Sequence, residues 1–324
     1  VDLLEEIYAR DGYRTKFPWV DRIREVTDRR LIDALDQTLV RRLRRDGSHN
    51  FELSPPEIVD WSIAYGFVFR SHDDPNPDLE ISRYFEEIRQ PGSITLENLK
   101  RDAIELVDGN GQRIGRWSVY RCLTGELTYK GQLYVLSDRK WYRILRDFVQ
   151  EVNDFVAERN RHEVDLPPFR ASDRDEMAYN TRVAGESGGN LVCLDRQFIR
   201  PRSWHDRIEF CDLLSVDRKI IHVKRYSGSA TLSHLFAQGA VSIRCLLTDA
   251  DFLAQVNEKL PERLRFPVDR PRPEDCHVIF AIVPAAGRHL RLPFFSRLAL
   301  RNAAELIETH GVRVTYQEIV NESV

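Results

Sequence analysis

Glu209-Phe210-Cys211-Asp212-Leu213-Leu214-Ser215-Val216-Asp217-Arg218-Lys219-Ile220-Ile221-His222-Val223-Lys224-Arg225-Tyr226 is the stretch on which the reading of the second half of the chain turns. Two apolar runs, 208–214 and 219–225, flank a polar turn, which predicts a β-hairpin. Both strands carry charge in their interiors. An unpaired charge is expensive to bury, so charges kept there are often paired or functional. Register decides which acid shares a face with Lys224. A three-residue loop at 217–219 sets Asp212 opposite Lys224, whereas a two- or four-residue loop turns Glu209 and Cys211 to the lysine's side. A bulge would reconcile the two. Asp212 is the favoured acid.

Outward from the hairpin, a short helix at about 173–185 and an apolar strand at 190–194 precede it. A helix opens near Ser229 and runs through His234, Gln238 and Leu247. The unbroken apolar run 277–283 predicts a buried strand, and a helix at 293–310 and a strand at 312–316 close the segment. The order α-β-β-β-α-β-α-β places this half in the α/β (α+β) class, with a mixed sheet flanked by helices. Asp165-Leu166-Pro167-Pro168 marks the expected boundary, giving domains 1–165 and 166–324.

The first domain reads as helices plus antiparallel strands. Leu3, Leu4, Ile7 and Tyr8 form one helical face, and Leu31, Ile32, Leu35, Leu39 and Leu43 another. His72-Asp73-Asp74-Pro75-Asn76-Pro77 is a loop by composition. Strands are expected at 104–107, 117–120, 133–136 and 141–144, with turns at Asp108-Gly109-Asn110-Gly111 and Ser137-Asp138-Arg139-Lys140. Phe148, Val149, Val152, Phe155 and Val156 share a helix face. The basic run Arg41-Arg42-Leu43-Arg44-Arg45 could touch phosphates, but also suits a solvated helix end.

The 324 residues are 42% hydrophobic and 31% charged, the profile of a water-exposed globular protein. No run is long and apolar enough to span a bilayer, so no membrane partner is expected. The first residues lack a basic flank followed by an apolar run, and the chain begins without Met, as a fragment of a longer protein would. Five widely spaced cysteines without a CxxC pair fit a reducing cytoplasm and argue against structural zinc. A net charge of −3 excludes only a histone-like polycation. No GxSxG elbow or P-loop pattern is present.

The hairpin resembles the PD-(D/E)XK, restriction-endonuclease-like superfamily, nearest its methylated-DNA restriction branch. There a strand starts with a metal-binding Asp, and the next ends in an acid, any residue, then Lys. Asp212-Leu213-Leu214 matches the first element, and His222-Val223-Lys224 the second, with His222 in place of the acid. The resemblance implies that Gln238 faces the site from the following helix and that Glu176, on the first helix, contributes an acid. It covers about half the chain. The domain is also similar to a sporadically distributed bacterial family without a settled function.

Such a site implies a divalent metal, magnesium or manganese, held by Asp212 through oxygen, with the Val223 carbonyl a further ligand. Glu209 or Glu176 could bind a second ion. Lys224 would stabilise developing charge or orient water. His222 suits manganese, iron or zinc better than magnesium, and is equally consistent with lost metal binding. Arg225 and the helix start at Ser227-Gly228-Ser229 offer nucleic-acid contacts, although N-capping also explains the serines. Arg288, Arg291, Arg297 and Arg301 form either a phosphate-facing row or a solvated helix face.

The expected function is therefore a cytoplasmic, metal-dependent endonuclease acting on DNA rather than RNA, in restriction or defence by analogy. The first domain would recognise substrate or a protein partner, and self-association is left open. The alternatives are a non-cutting nuclease-fold module that binds nucleic acid or protein, and a protein-binding assembly factor.

Overall fold

A computed structural model of the chain describes all residues except 1–20, 47–50, 58, 60–62, 70–74, 77–78, 88–90, 201–206, 227, 268–270 and 324. The expected helix face of Leu3, Leu4, Ile7 and Tyr8 lies outside the described residues, as do His72, Asp73, Asp74 and Pro77 of the expected loop. The chain divides into two units, Val1–Glu151 and Val152–Val324.

The first unit begins with β1 (Ile23–Glu25), α1 (Arg29–Asp46), β2 (Phe51–Leu53), β3 (Ala64–Phe69), α2 (Ile81–Glu87) and α3 (Leu96–Arg101). It continues with β4 (Ala103–Asp108), β5 (Arg113–Ser118), the one-turn α4 (Val119–Cys122), β6 (Leu123–Tyr129), β7 (Gln132–Ser137) and β8 (Lys140–Ile144). The strands form two antiparallel sheets, β3-β4-β5 and β1-β8-β7-β6-β2. Asp138 and Arg139 sit at φ 42° and 66°, and Lys130 and Gly131 at 48° and 73°. Paired left-handed residues give these two-residue hairpins the twist of their strands.

The strand expected at 117–120 ends instead at Ser118, whose hydroxyl accepts from Arg121 N–H and caps α4. That single helical turn carries the chain into the second sheet through β6, a strand the periodicity did not single out. Leu35, Leu39 and Leu43 of α1 are fully buried, as their spacing predicts. Among them lies the Asp36 carboxylate, accepting from Tyr120 Oη at 2.7 Å and Trp141 Nε1 at 2.8 Å.

The division at residue 151 falls within α5 (Arg146–Arg159), ahead of the expected boundary at 165. The segment after it is tied to the end of the chain. Asn160 bridges Tyr316, Phe169 bridges Asn321, and Gln317 Nε2 donates to Val164 O. Pro167 and Pro168 thus lie inside the second unit.

That unit holds α6 (Glu176–Glu186), β9 (Leu191–Cys193), β10 (Leu213–Ser215), β11 (Lys219–Arg225), α7 (Ser229–Thr248), α8 (Ala250–Lys259), β12 (His277–Val283), α9 (Phe294–Glu308) and β13 (Arg313–Glu318). Its sheet runs β13-β12-β11-β10-β9. β9, β10 and β11 are antiparallel neighbours, whereas β11, β12 and β13 are parallel. This is the expected mixed sheet. Every residue of β12 is buried, as a central parallel strand covered on both faces requires.

Alternation along the strands divides the unit into two layers. Leu213, Ile221, Val223, Ile279 and Ala281 pack with Tyr179 and Val183 of α6. On the other face α7 comes close to the sheet at Gly239, where a Cβ would stand 2.6 Å from Phe280 Cε1. Phe236 meets the same ring edge-on at 5.0 Å.

The described cysteines are all free. No described helix is long and apolar enough to cross a membrane.

Candidate functional site

Leu213 pairs with Ile221 and Leu214 with Ile220. The loop is therefore 216–218, one residue earlier than the 217–219 alternative, and Arg218 closes it at φ 61°. In this register Asp212 falls beside His222 rather than opposite Lys224. The strand departs from regular pairing there. Asp212 N–H donates to Ile221 O at 3.0 Å, so Asp212 and Leu213 both address one residue, in the manner of a bulge. Asp212 Oδ2 then accepts the main-chain N–H of Val223 at 2.7 Å.

That turn brings Asp212 to two other acids. Oxygens of Asp195, Glu209 and Asp212 all lie within 4.8 Å of one another. At an effective dielectric near 20, two full charges at 4.8 Å repel by about 3 kcal/mol. Burial and then the Glu209 charge push the Asp212 carboxyl well above the ordinary carboxylate range. Burial likewise raises Glu209, and the neighbouring Asp195 adds to it, against hydrogen bonds from Arg196 N–H and Gln238 and the charge of Lys224.

Neutral donors hold the cluster in place. Gln238 Nε2 donates to Glu209 Oε2 at 3.0 Å, and Arg196 N–H to Glu209 Oε1. Asn180 Nδ2 donates to Asp195 Oδ2 at 2.8 Å. Helix α6 serves two partners from positions one turn apart. Asn180 reaches Asp195, while Glu176 takes Lys224 Nζ at 2.8 Å and Arg225 N–H at 2.9 Å. The N-cap carboxylate of Asp175, which accepts Ala178 N–H at 2.8 Å, fixes where that helix starts.

Asp212, Glu209, Gln238 and Lys224 are therefore gathered at one end of β11, although Asp212 is not opposite Lys224 in the register. Glu176 is present as well, but as the ion-pair partner of Lys224 rather than as a member of the acidic cluster. His222 stands outside the acidic cluster. Its ring is fully buried, 5.8 Å from the Phe280 ring and beside Gly239, and neither nitrogen has a hydrogen-bond partner. Burial lowers its pKa to about 4. The bulge at Asp212 turns the carboxylate to the β11 main chain, leaving the imidazole in the apolar layer under α7.

The basic candidates fare differently. Arg225 is exposed, with its guanidinium 5.2 Å from the Phe169 ring centroid. Ser227 lies outside the described residues. Ser229 begins α7, whose N-cap position is taken by Gly228. In the C-terminal row, Arg297 bonds Asn153 and Arg301 pairs with Glu305 at 2.8 Å, so these two are engaged within the unit. Arg44 of the N-terminal basic run donates to Ile94 O at 2.7 Å.

Asp195 and Asn180 were not among the residues expected here. Asn180 lies within α6 and Asp195 just past β9, but only the register of β9 on β10, Cys193 opposite Leu213, carries Asp195 back to Asp212. Leu194 N–H donating to Asp212 O at 2.8 Å extends that pairing to the cluster's edge.

The sequence profile of one family, described as a family of unknown function (DUF6119), matches residues 1–320. No curated protein and no solved structure matches the chain. The family match runs through both units, so the chain belongs to DUF6119 over nearly its whole length.

Proposed function

We propose that the second unit is a metal-dependent nuclease of the PD-(D/E)XK kind acting on DNA, with restriction of foreign DNA the setting its resemblance suggests. The observation that carries this reading is the convergence of Asp212, Glu209, Gln238 and Lys224 from separate segments on one end of β11. The donor set fits a divalent ion, since three carboxylates lie within 4.8 Å of one another and offer only hard oxygen atoms. Asp212 and Glu209 would hold it. Bound there, such an ion polarises a phosphodiester oxygen and acidifies water.

The chain's own groups account for the rest. Gln238 fixes the orientation of Glu209 through its amide N–H. Lys224, steered by Glu176, places an ammonium where charge develops on a phosphate. Arg225, exposed beside it, and the start of α7 suit a phosphate backbone. The test is plasmid nicking with magnesium and with manganese. Asp212→Asn and Lys224→Ala should each lower the rate by roughly a hundredfold or more while folding is kept. Variants that both cut like the parent would refute the assignment.

A second reading, a nuclease-fold module that binds nucleic acid without cutting, draws on two observations. Lys224 is already neutralised by Glu176, and the residue in place of the second acid is sealed from the cluster. Salt-sensitive DNA binding without nicking in either metal would select it.

A further inference from the structure

The hairpin lacks an oxygen where His222 stands, and the two segments packed beside it offer replacements. Asp195 lies just past β9 and belongs to the acidic cluster. Behind it, Asn180 is fully buried. Its Nδ2 donates to Asp195, whereas its Oδ1 has no hydrogen-bond partner. This orphaned carbonyl oxygen belongs to the same buried amide that contacts the Asp195 carboxylate. Rotating the amide would set oxygen against carboxylate oxygen and strand the NH2 group.

A buried carbonyl without a donor is costly. The nearby cations do not sit within the cluster. Lys224 is paired with Glu176, and Arg196 reaches only the rim, 4.0 Å from Asp195 and 3.6 Å from Asp175. Three carboxylates and an unpartnered carbonyl are the ligand chemistry of a hard cation.

We propose that Asp195, positioned by Asn180, completes with Glu209 and Asp212 an all-oxygen site for one hard divalent cation of the magnesium, manganese or calcium type, in which His222 takes no part. The catalytic meaning of this site rests on the nuclease reading; the binding itself does not.

Titrating the intact chain with manganese in the absence of nucleic acid, with free ion read by electron paramagnetic resonance, tests it. The parent should bind one equivalent, displaced by magnesium or calcium. Asp195→Asn and Asn180→Ala should each weaken binding by about tenfold to a hundredfold, with His222→Leu leaving it unchanged. Glu209→Gln carries the same expectation should Asp195→Asn fail to fold. A parent that takes up no manganese at millimolar concentration, or a folded Asp195→Asn with parental affinity, would overturn the proposal. So would loss of binding in a folded His222→Leu. Intact binding without DNA cleavage would sink only the nuclease reading; cleavage indifferent to Asp195 would sink only this site.

Discussion

Replacing His222 with Leu should abolish a specific part of the second unit's acid sensitivity. The imidazole is fully buried among Phe280 and Gly239, and burial lowers its pKa from the ordinary 6.5 to about 4. Between these values the unfolded chain holds a proton that the folded chain refuses. Stability is then fully present above about pH 6.5 and is lost as pH falls through about 4. The depression corresponds to about 2 kcal/mol at pH 5 and roughly 3 kcal/mol below pH 4. At neutral pH the exchange removes two unpartnered polar atoms and swaps one medium-sized side chain for another, so it should change stability by less than about 1.5 kcal/mol. Urea unfolding of parent and variant at pH 7.5 and pH 5.0, followed by hydrogen exchange in β10 and β11, measures the difference. His277, also lowered to about 4 by burial and by Arg313, acts in the same direction but is common to both proteins and cancels. The variant should lose about 2 kcal/mol less than the parent over this interval. Equal losses would mean that the ring is reached by solvent or gains a partner on protonation, and the packing argument against His222 as a ligand would fail.

Two further outcomes follow from close packing. Gly239→Ala puts a Cβ 2.6 Å from Phe280 Cε1, a ring with no exposed surface, so overpacking of about 1–3 kcal/mol should exceed the helix-propensity gain of roughly 1 kcal/mol. A lowered urea midpoint with weaker manganese binding would show that this contact sets Gln238 over the acids; an unchanged midpoint would show that Phe280 can yield. In the first unit, Asp36→Ala strands the Tyr120 hydroxyl and the Trp141 indole N–H, at about 1–3 kcal/mol each, and tryptophan-detected unfolding that matches the parent would refute the network's role.

What could be read from residues alone was whatever repeats or runs unbroken. The apolar run of β12, the length of β11, the start of α7 at Ser229 and the leucine stripe of α1 follow from periodicity, because burial on a known face leaves that imprint. The chemistry escaped where regular pairing stops. Alternation along β11 gives His222 and Lys224 the same face and treats them as equivalent. In the fold Lys224 lies next to the end of the strand and can reach Glu176, whereas His222 two residues earlier is covered by Gly239 and Phe280. The bulge at Asp212 cannot be read from its residues, since Asp212-Leu213 would pair normally in another register. Asp195 lies across a connection from Leu194 to Arg207 that reads as neither helix nor strand, so its distance along the chain says nothing of its place beside Asp212. Glu176 was recognisable by its helix but not its partner, because an acid near the start of α6 serves an ion or an ammonium equally well until the end of β11 is located. The same limit applies to the exchange of ligands proposed for this site. Asp195, just beyond β9, and Asp212, just ahead of β10, look unrelated in the chain, although the pairing of β9 with β10 sets them at one cluster. If Asp195 does the work that His222 cannot, substituting the acid that no motif contains should disturb ion binding more than substituting the histidine that occupies the motif.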